Sequence, residues 1–264
     1  EGHNTAVGSQ SQLNATTGEF NTSLGSLSMG SGVTTGNSNV AIGYQSGHAL
    51  TSGSENITIG QGAGDALTTG TRNVAVGHAA LSAENEHGKN VAIGYLSLLT
   101  LDAGVDGFNV AVGYGAGALM TTGVENTLIG GQAGDSLTTG TRNVALGYQA
   151  LNSEDAHGNN VAIGFASLYA QDAGTDAYNT AVGYASGINV TTGAYNTLIG
   201  GLAGDALTTG EMNVAVGYGS LGSEDGNGKC VAIGMSALTS QNAGAEAYNV
   251  AVGYNAGYAV TTGT

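Results

Sequence analysis

The stretch Asn39-Val40-Ala41-Ile42-Gly43-Tyr44 returns almost unchanged at Asn90-Val91-Ala92-Ile93-Gly94-Tyr95, at Asn109-Val110-Ala111-Val112-Gly113-Tyr114 and at Asn249-Val250-Ala251-Val252-Gly253-Tyr254. Beneath these copies lies a looser phrase: Asn, then Val, Ile or Thr, then a residue that is usually Ala, then Val, Ile or Leu, then Gly. It starts at Asn4, Asn21, Asn39, Asn56, Asn73, Asn90, Asn109, Asn126, Asn143, Asn160, Asn179, Asn196, Asn213, Cys230 and Asn249. The steps between starts are 17, 18, 17, 17, 17, 19, 17, 17, 17, 19, 17, 17, 17 and 19 residues. From Asn39 onward a larger unit is superimposed, because Asn39, Asn109, Asn179 and Asn249 lie 70 residues apart. Periods of this kind mark repeat architectures, in which one unit cannot cover its apolar face alone and stacked neighbours cover it.

Each column of the phrase has a physical reading. The fifth position is Gly throughout, as at Gly43, Gly60, Gly77, Gly94, Gly113 and Gly130, which implies positive φ or a close backbone approach. The second and fourth positions share parity and therefore one face of a strand. The third is small, as a tight interior or a close neighbouring subunit requires. Asn at the first position, in Asn39, Asn56, Asn73, Asn90, Asn109, Asn126, Asn143 and Asn160 among others, can form a ladder by bonding to its counterpart and to the next turn's backbone. Cys230 replaces Asn once, and its surroundings give no reason to read it as a reactive thiol.

Thr-Thr-Gly punctuates the same period, for example at Thr34-Thr35-Gly36, Thr68-Thr69-Gly70, Thr138-Thr139-Gly140 and Thr208-Thr209-Gly210. Thr suits a strand edge and Gly the turn after it. A second apolar segment, such as Tyr44-Gln45-Ser46-Gly47-His48-Ala49-Leu50, lies between the phrase and this turn. Each coil therefore reads strand, corner, short strand, turn. Helices are not expected, since Gly and β-branched residues dominate and no 3.6-residue stripe persists. The expected fold is all-β: a parallel β-solenoid (β-roll) of about fifteen coils of 17–19 residues, grouped in 70-residue four-coil cassettes. It is expected to run through residues 1–264 as one continuous solenoid, uncapped at both ends and belonging to a longer fibre or a stacking unit. At roughly 4.8 Å per coil such a stack would be about 70 Å long. So narrow a coil fits an interior of Ala, Val and Ile, and its high surface-to-volume ratio favours side-by-side association.

Composition excludes several functions. Lys and Arg number 4 against 19 Asp and Glu, a net charge of −15, which disfavours nucleic acid and anionic membranes because both demand clustered Lys and Arg. One cysteine allows no intrachain disulfide. No apolar run approaches the roughly 18 residues of a membrane span. Glu1-Gly2-His3-Asn4 opens without a basic region and apolar core, so no leader is expected there; a processed chain, a virion protein or an excised segment would share this.

Two coils per cassette replace Thr-Thr-Gly by an acidic loop. One set is Glu84-Asn85-Glu86-His87-Gly88, Glu154-Asp155-Ala156-His157-Gly158 and Glu224-Asp225-Gly226-Asn227-Gly228. The other is Asp102-Ala103-Gly104-Val105-Asp106, Asp172-Ala173-Gly174-Thr175-Asp176 and Asn242-Ala243-Gly244-Ala245-Glu246. Neighbouring loops can bring Asp102, Asp106, Glu154, Asp155, Asp172 and Asp176 around Ca²⁺, which takes oxygen ligands; the alternative is a solvated acidic edge. Tyr44, Tyr114, Tyr184 and Tyr254 follow the fifth-position Gly and either form a sugar-stacking strip or pack at a corner or between subunits. Catalysis is not expected: every acidic cluster is repeated, and no nucleophile elbow, phosphate loop or zinc spacing occurs.

The Asn-Val-Ala-Ile-Gly-Tyr phrase with Thr-Thr-Gly between copies resembles the head repeats of trimeric autotransporter adhesins. It also resembles the long coil arrays of phage tail-fibre proteins, which often end in a self-cleaving chaperone domain. The likeness spans essentially the whole chain. The longer coil, the Thr-Thr-Gly turn and the 70-residue cassette bring it nearer the tail-fibre type. The resemblance implies an extracellular, cell-surface or virion fibre that self-associates, as a trimer in the adhesin case, and attaches to a host glycan or receptor. The competing expectations are a matrix filament polymerising end to end and a solenoid that binds ice or glycan.

Overall fold

A computed structural model describes residues 2–263. Every phrase found in the sequence is a three-residue strand, and the chain divides into two compact units, Glu1–Gly131 and Gln132–Thr264. The first unit holds β1 (Thr5–Val7), β2 (Thr22–Leu24), β3 (Val40–Ile42), β4 (Ile57–Ile59), β5 (Val74–Val76), β6 (Val91–Ile93), β7 (Val110–Val112) and β8 (Thr127–Ile129). The second holds β9 (Val144–Leu146), β10 (Val161–Ile163), β11 (Thr180–Val182), β12 (Thr197–Ile199), β13 (Val214–Val216), β14 (Val231–Ile233) and β15 (Val250–Val252). Within each unit consecutive strands pair in parallel and in repeat register: Val40 faces Ile57, Ala41 faces Thr58 and Ile42 faces Ile59, as Val161 faces Thr180 and Ile163 faces Val182. The fold is an all-β parallel solenoid with one strand per coil, and no helix among the described residues is long and apolar enough to cross a membrane.

The strands stop after three residues because of the Gly that follows. Gly43 has φ +130°, and a Cβ there would lie 2.7 Å from the carbonyl oxygen of Gly60. At Gly94, with φ +139°, the same distance to Gly113 O is 2.2 Å. The Gly column is required twice over, by conformation and by the closeness of the next coil.

The segment after the Gly is not the second short strand that its apolar content suggests. Alternate residues there sit at positive φ, as in Gln45 (56°) and Gly47 (55°), or Leu96 (57°) and Leu98 (47°). Alternating left-handed residues curl the chain, whereas a strand needs extended dihedrals throughout. Short apolar runs do not carry that distinction in sequence.

The interior also differs from the expected mixture of Ala, Val and Ile. In the strand centre Ala41, Ala75, Ala92 and Ala111 are buried, as are Ala145, Ala162, Ala181 and Ala215. The Val and Ile residues on either side point the other way, and Leu24, Ile57, Ile93, Leu146, Ile199 and Ile233 are exposed. The strand centre faces inward whatever its size: it is Ala in most coils and Thr58, Leu128 or Leu198 in coils whose ninth residue is Gly.

Larger side chains, mostly Leu, fill the remaining volume, and their positions follow the cassette. In the coils starting at Asn39 and Asn56 the ninth residue is Gly and the twelfth is a buried Leu, Leu50 or Leu67. In the next two coils the ninth residue is itself a buried Leu, Leu81 or Leu98. In the Gly coils the twelfth side chain fills the space beside that Gly, since a Cβ on Gly64 would meet Leu67 Cδ1 at 2.8 Å. In the Leu coils the twelfth residue is Glu84 or Leu101, and both are buried as well.

The Asn ladder closes each coil and binds it to the next. Asn56 donates from Nδ2 to Gly70 O (2.8 Å) at the end of its own coil, and its Oδ1 accepts from the Asn73 amide (2.9 Å). Asn39, Asn109 and Asn196 make the same closure to Gly53, Gly123 and Gly210. In the 19-residue coils the extra residues remove that carbonyl, and Nδ2 of Asn90 and Asn160 is buried without a partner. Cys230 occupies this place in the third cassette, where an amide has least to do. Its backbone still donates to Asn213 Oδ1 (3.1 Å), and burial pushes its thiol up.

Candidate functional site

Two parts of the solenoid present chemistry: the outward strand face and the acidic loops. The face follows from the strand's period of two. With Ala inward, the second and fourth positions of each coil form two uncharged columns of Val, Ile, Leu and Thr. Beside them runs the residue after Gly. His78, Tyr95 and Tyr114 stack with ring centroids 5.1 and 5.4 Å apart, and Tyr148, Phe165 and Tyr184 stack at 5.8 and 5.3 Å. Parallel in-register coils place like rings one above another, so the interior rings of each stack cover one another's faces and leave their edges outward.

The opposite margin is the residue before each Asn, held at positive φ, for example Phe108 (49°), Tyr178 (53°) and Tyr195 (59°). Tyr178 and Tyr195 stack at 5.7 Å. Lys89 lies 4.8 Å from the Phe108 ring centroid and Lys229 lies 5.6 Å from that of Tyr248. Arg72 pairs with Glu55 at 2.7 Å. The few cations are thus spent along this margin, and none stands among the aliphatic columns.

The acidic loops divide into surface and interior groups. Asp106 accepts from Lys89 Nζ (2.5 Å) and from the Gly88 amide (3.2 Å), which together hold its carboxyl below the usual range. Asp176 accepts from the Gly158 amide and from Asn159 Nδ2, each at 2.9 Å. Both tie a 19-residue coil to the coil before it, so these two calcium candidates are engaged as structural acceptors. Asp102 and Asp155 are exposed. Burial raises the Glu154 carboxyl, and the charge of Asp172 adds to it.

Glu84, Glu154 and Glu224 are not a solvated edge: all three are fully buried. Glu84 Oε1 accepts from the His87 amide (3.1 Å) and Oε2 from the Ala103 amide of the next coil (3.2 Å). Burial pushes the Glu84 and Glu154 carboxyls up, opposed by these backbone hydrogen bonds. Glu154 Oε1 accepts from the His157 amide (3.2 Å), while Oε2 has no hydrogen bond of good geometry. Glu224 has neither oxygen hydrogen-bonded. Glu84, His87 and His157 were not among the candidate ligands read from sequence; the available signal was a carboxylate recurring every 70 residues in a column that from Leu50 onward otherwise holds Leu, Met, Val or Gln. Because an unsatisfied buried polar group costs about 1–3 kcal/mol and a carboxylate more, Glu224→Gln is expected to raise stability by about 1 kcal/mol, read as a higher urea midpoint.

These features define a class, the tandem-repeat parallel β-solenoid. Comparisons with family models, with curated proteins and with solved structures find no match to this chain.

Proposed function

We propose that the chain is a structural fibre segment, of the tail-fibre or surface-adhesin kind, that self-associates through its outward strand face and presents its loops outside the cell or on a virion. The supporting observation is the pair of half-buried to exposed aliphatic columns, uncharged themselves, between a margin of stacked rings and a margin that mixes rings with charged side chains, on a chain of net charge −15. Acidic surfaces repel one another, so two copies meet most favourably where charge is absent, and that place is this strip. A second copy also carries the same coil spacing, so its columns match over many coils. The regular repetition of every polar cluster favours a scaffold over an enzyme, whose chemistry needs one singular site. Host glycans or receptors are partners for the exposed loops in this reading, and nucleic acid is disfavoured by charge.

The test is sedimentation and electron microscopy of the purified chain. An assembly of two or more copies is expected at micromolar concentration. The triple variant Ile57→Lys, Ile93→Lys and Ile233→Lys is expected to run as a monomer with an unchanged far-ultraviolet circular dichroism spectrum. A wild-type chain that stays monomeric at about 100 µM, weaker than ordinary specific association, would sink the proposal.

A further inference from the structure

The pairs Glu84–His87 and Glu154–His157 share an unusual geometry. His87 Nδ1 lies 3.8 Å from Glu84 Oε1, and His157 Nδ1 lies 3.5 Å from Glu154 Oε1. Both imidazole nitrogens are buried atoms without a hydrogen-bond partner, as is Glu154 Oε2. Each glutamate is fully buried. A proton shared between imidazole and carboxylate draws the two atoms to about 2.7–2.9 Å. Two ligands of one cation, each about 2.0–2.2 Å from it, stand about 3.3–3.5 Å apart in a tetrahedral arrangement. The observed separations fit the second case better.

A third ligand is present in each place. Oxygens of Glu84 and Asp102 and a ring nitrogen of His87 all lie within 4.8 Å of one another, and so do those of Glu154, Asp155 and His157. The backbone amides of Ala103 and of His87 itself hold the Glu84 carboxylate in position, as the hydrogen-bond partners of metal-bound carboxylates do. One imidazole with two carboxylates suits zinc and its first-row neighbours, whereas calcium favours oxygen alone.

We propose that Glu84, His87 and Asp102, and separately Glu154, His157 and Asp155, each bind a divalent transition-metal ion of the zinc class. Each ion neutralises a buried carboxylate and fastens an acidic loop to the solenoid. The third cassette has Asn227 in place of the histidine and supplies no ring nitrogen, so the chain takes two ions. This inference stands on the loops alone and is independent of self-association.

The experiment is calorimetric titration of the chelator-treated full chain with zinc chloride, paralleled by cobalt chloride followed in the visible spectrum. Two ions per chain are expected, each tighter than about 10 µM, with the strong visible bands of low-coordinate cobalt. His87→Asn and His157→Asn are each expected to remove one ion, and the double variant both. Asn already stands at this place in the third cassette, so the fold is retained and circular dichroism checks it. Three outcomes overturn the proposal. They are no zinc uptake by the wild-type chain, uptake undiminished in the double variant (which keeps His3, His48 and His78), and calcium uptake as tight as zinc in both proteins.

Discussion

Gly94→Ala is expected to destabilise its part of the solenoid by about 3 kcal/mol or more, through strain and overpacking together. The added Cβ would stand 2.2 Å from Gly113 O and 2.6 Å from Gly113 C, on a residue at φ +139°. Both obstacles are backbone, so no rotamer change relieves them. Moving the neighbouring coil away would break the hydrogen bonds that run from β6 to β7 and from the Gly113 amide to Ile93 O (2.8 Å). Gly62→Ala is the control. Its φ is +64° with nothing within 4 Å, and the corresponding residue of the next coil is Ala79 at φ 51°. That change is expected to cost about 1 kcal/mol or less. Thermal melting by circular dichroism separates the two, and hydrogen exchange locates the damage. Equal effects at Gly94 and Gly62 would show that conformation, and not the approach of the coils, sets the Gly column.

Asn56→Ala is expected to cost about 3–4 kcal/mol, the sum of stranding two buried backbone groups at roughly 1–3 kcal/mol each. The Asn73 amide loses its acceptor and the Gly70 carbonyl loses its donor, bonds of 2.9 and 2.8 Å respectively. A third contact, from Asn56 Nδ2 to Asn39 Oδ1 at 3.2 Å, goes with them. Asn90→Cys provides the contrast, because Nδ2 of Asn90 is already unpartnered, the only backbone group affected is the Asn109 amide, whose acceptor (Oδ1, 3.2 Å) is weakened, and Cys230 shows the substitution in the same setting. It is expected to cost less, about 1–2 kcal/mol. Hydrogen exchange at the Asn73 amide should quicken sharply in Asn56→Ala; protection equal to wild type would mean that another acceptor replaces the side chain.

The sequence makes some of this plain and hides the rest for physical reasons. A strict period exposes the coil, the strand and the Gly and Asn columns, since a requirement met at every turn is printed at every turn. Which strand face is inward is less visible, because Val-Ala-Ile alternates whichever way it points, and a branched pair outside a solenoid reads like a branched pair inside one. The left-handed residues are hidden by their identities: Leu96, Leu98 and Phe108 are not residues that announce positive φ, and the ladder of the stack imposes it on them. The acidic loops mislead most. Glu84 stands in a polar run that reads as surface, and only its alignment with the buried twelfth residues of other coils, such as Leu67 and Leu101, shows that it lies within the coil.

The ties between unlike loops of successive coils bear on how long such a chain can be. Any three-residue strand would pair with any other in the solenoid, so the backbone alone does not object to a coil being lost or gained. The loops do. Glu84 accepts from the Ala103 amide and the Gly88 amide donates to Asp106, both in the next coil, so removing that 19-residue coil alone would leave Glu84 and Gly88 without those partners. Removing 70 residues restores every side chain to its accustomed neighbour. Deletion and duplication should therefore be tolerated in whole cassettes and resisted in fractions of one, and length becomes a quantity that evolution, or a designer, can change only in fixed strides.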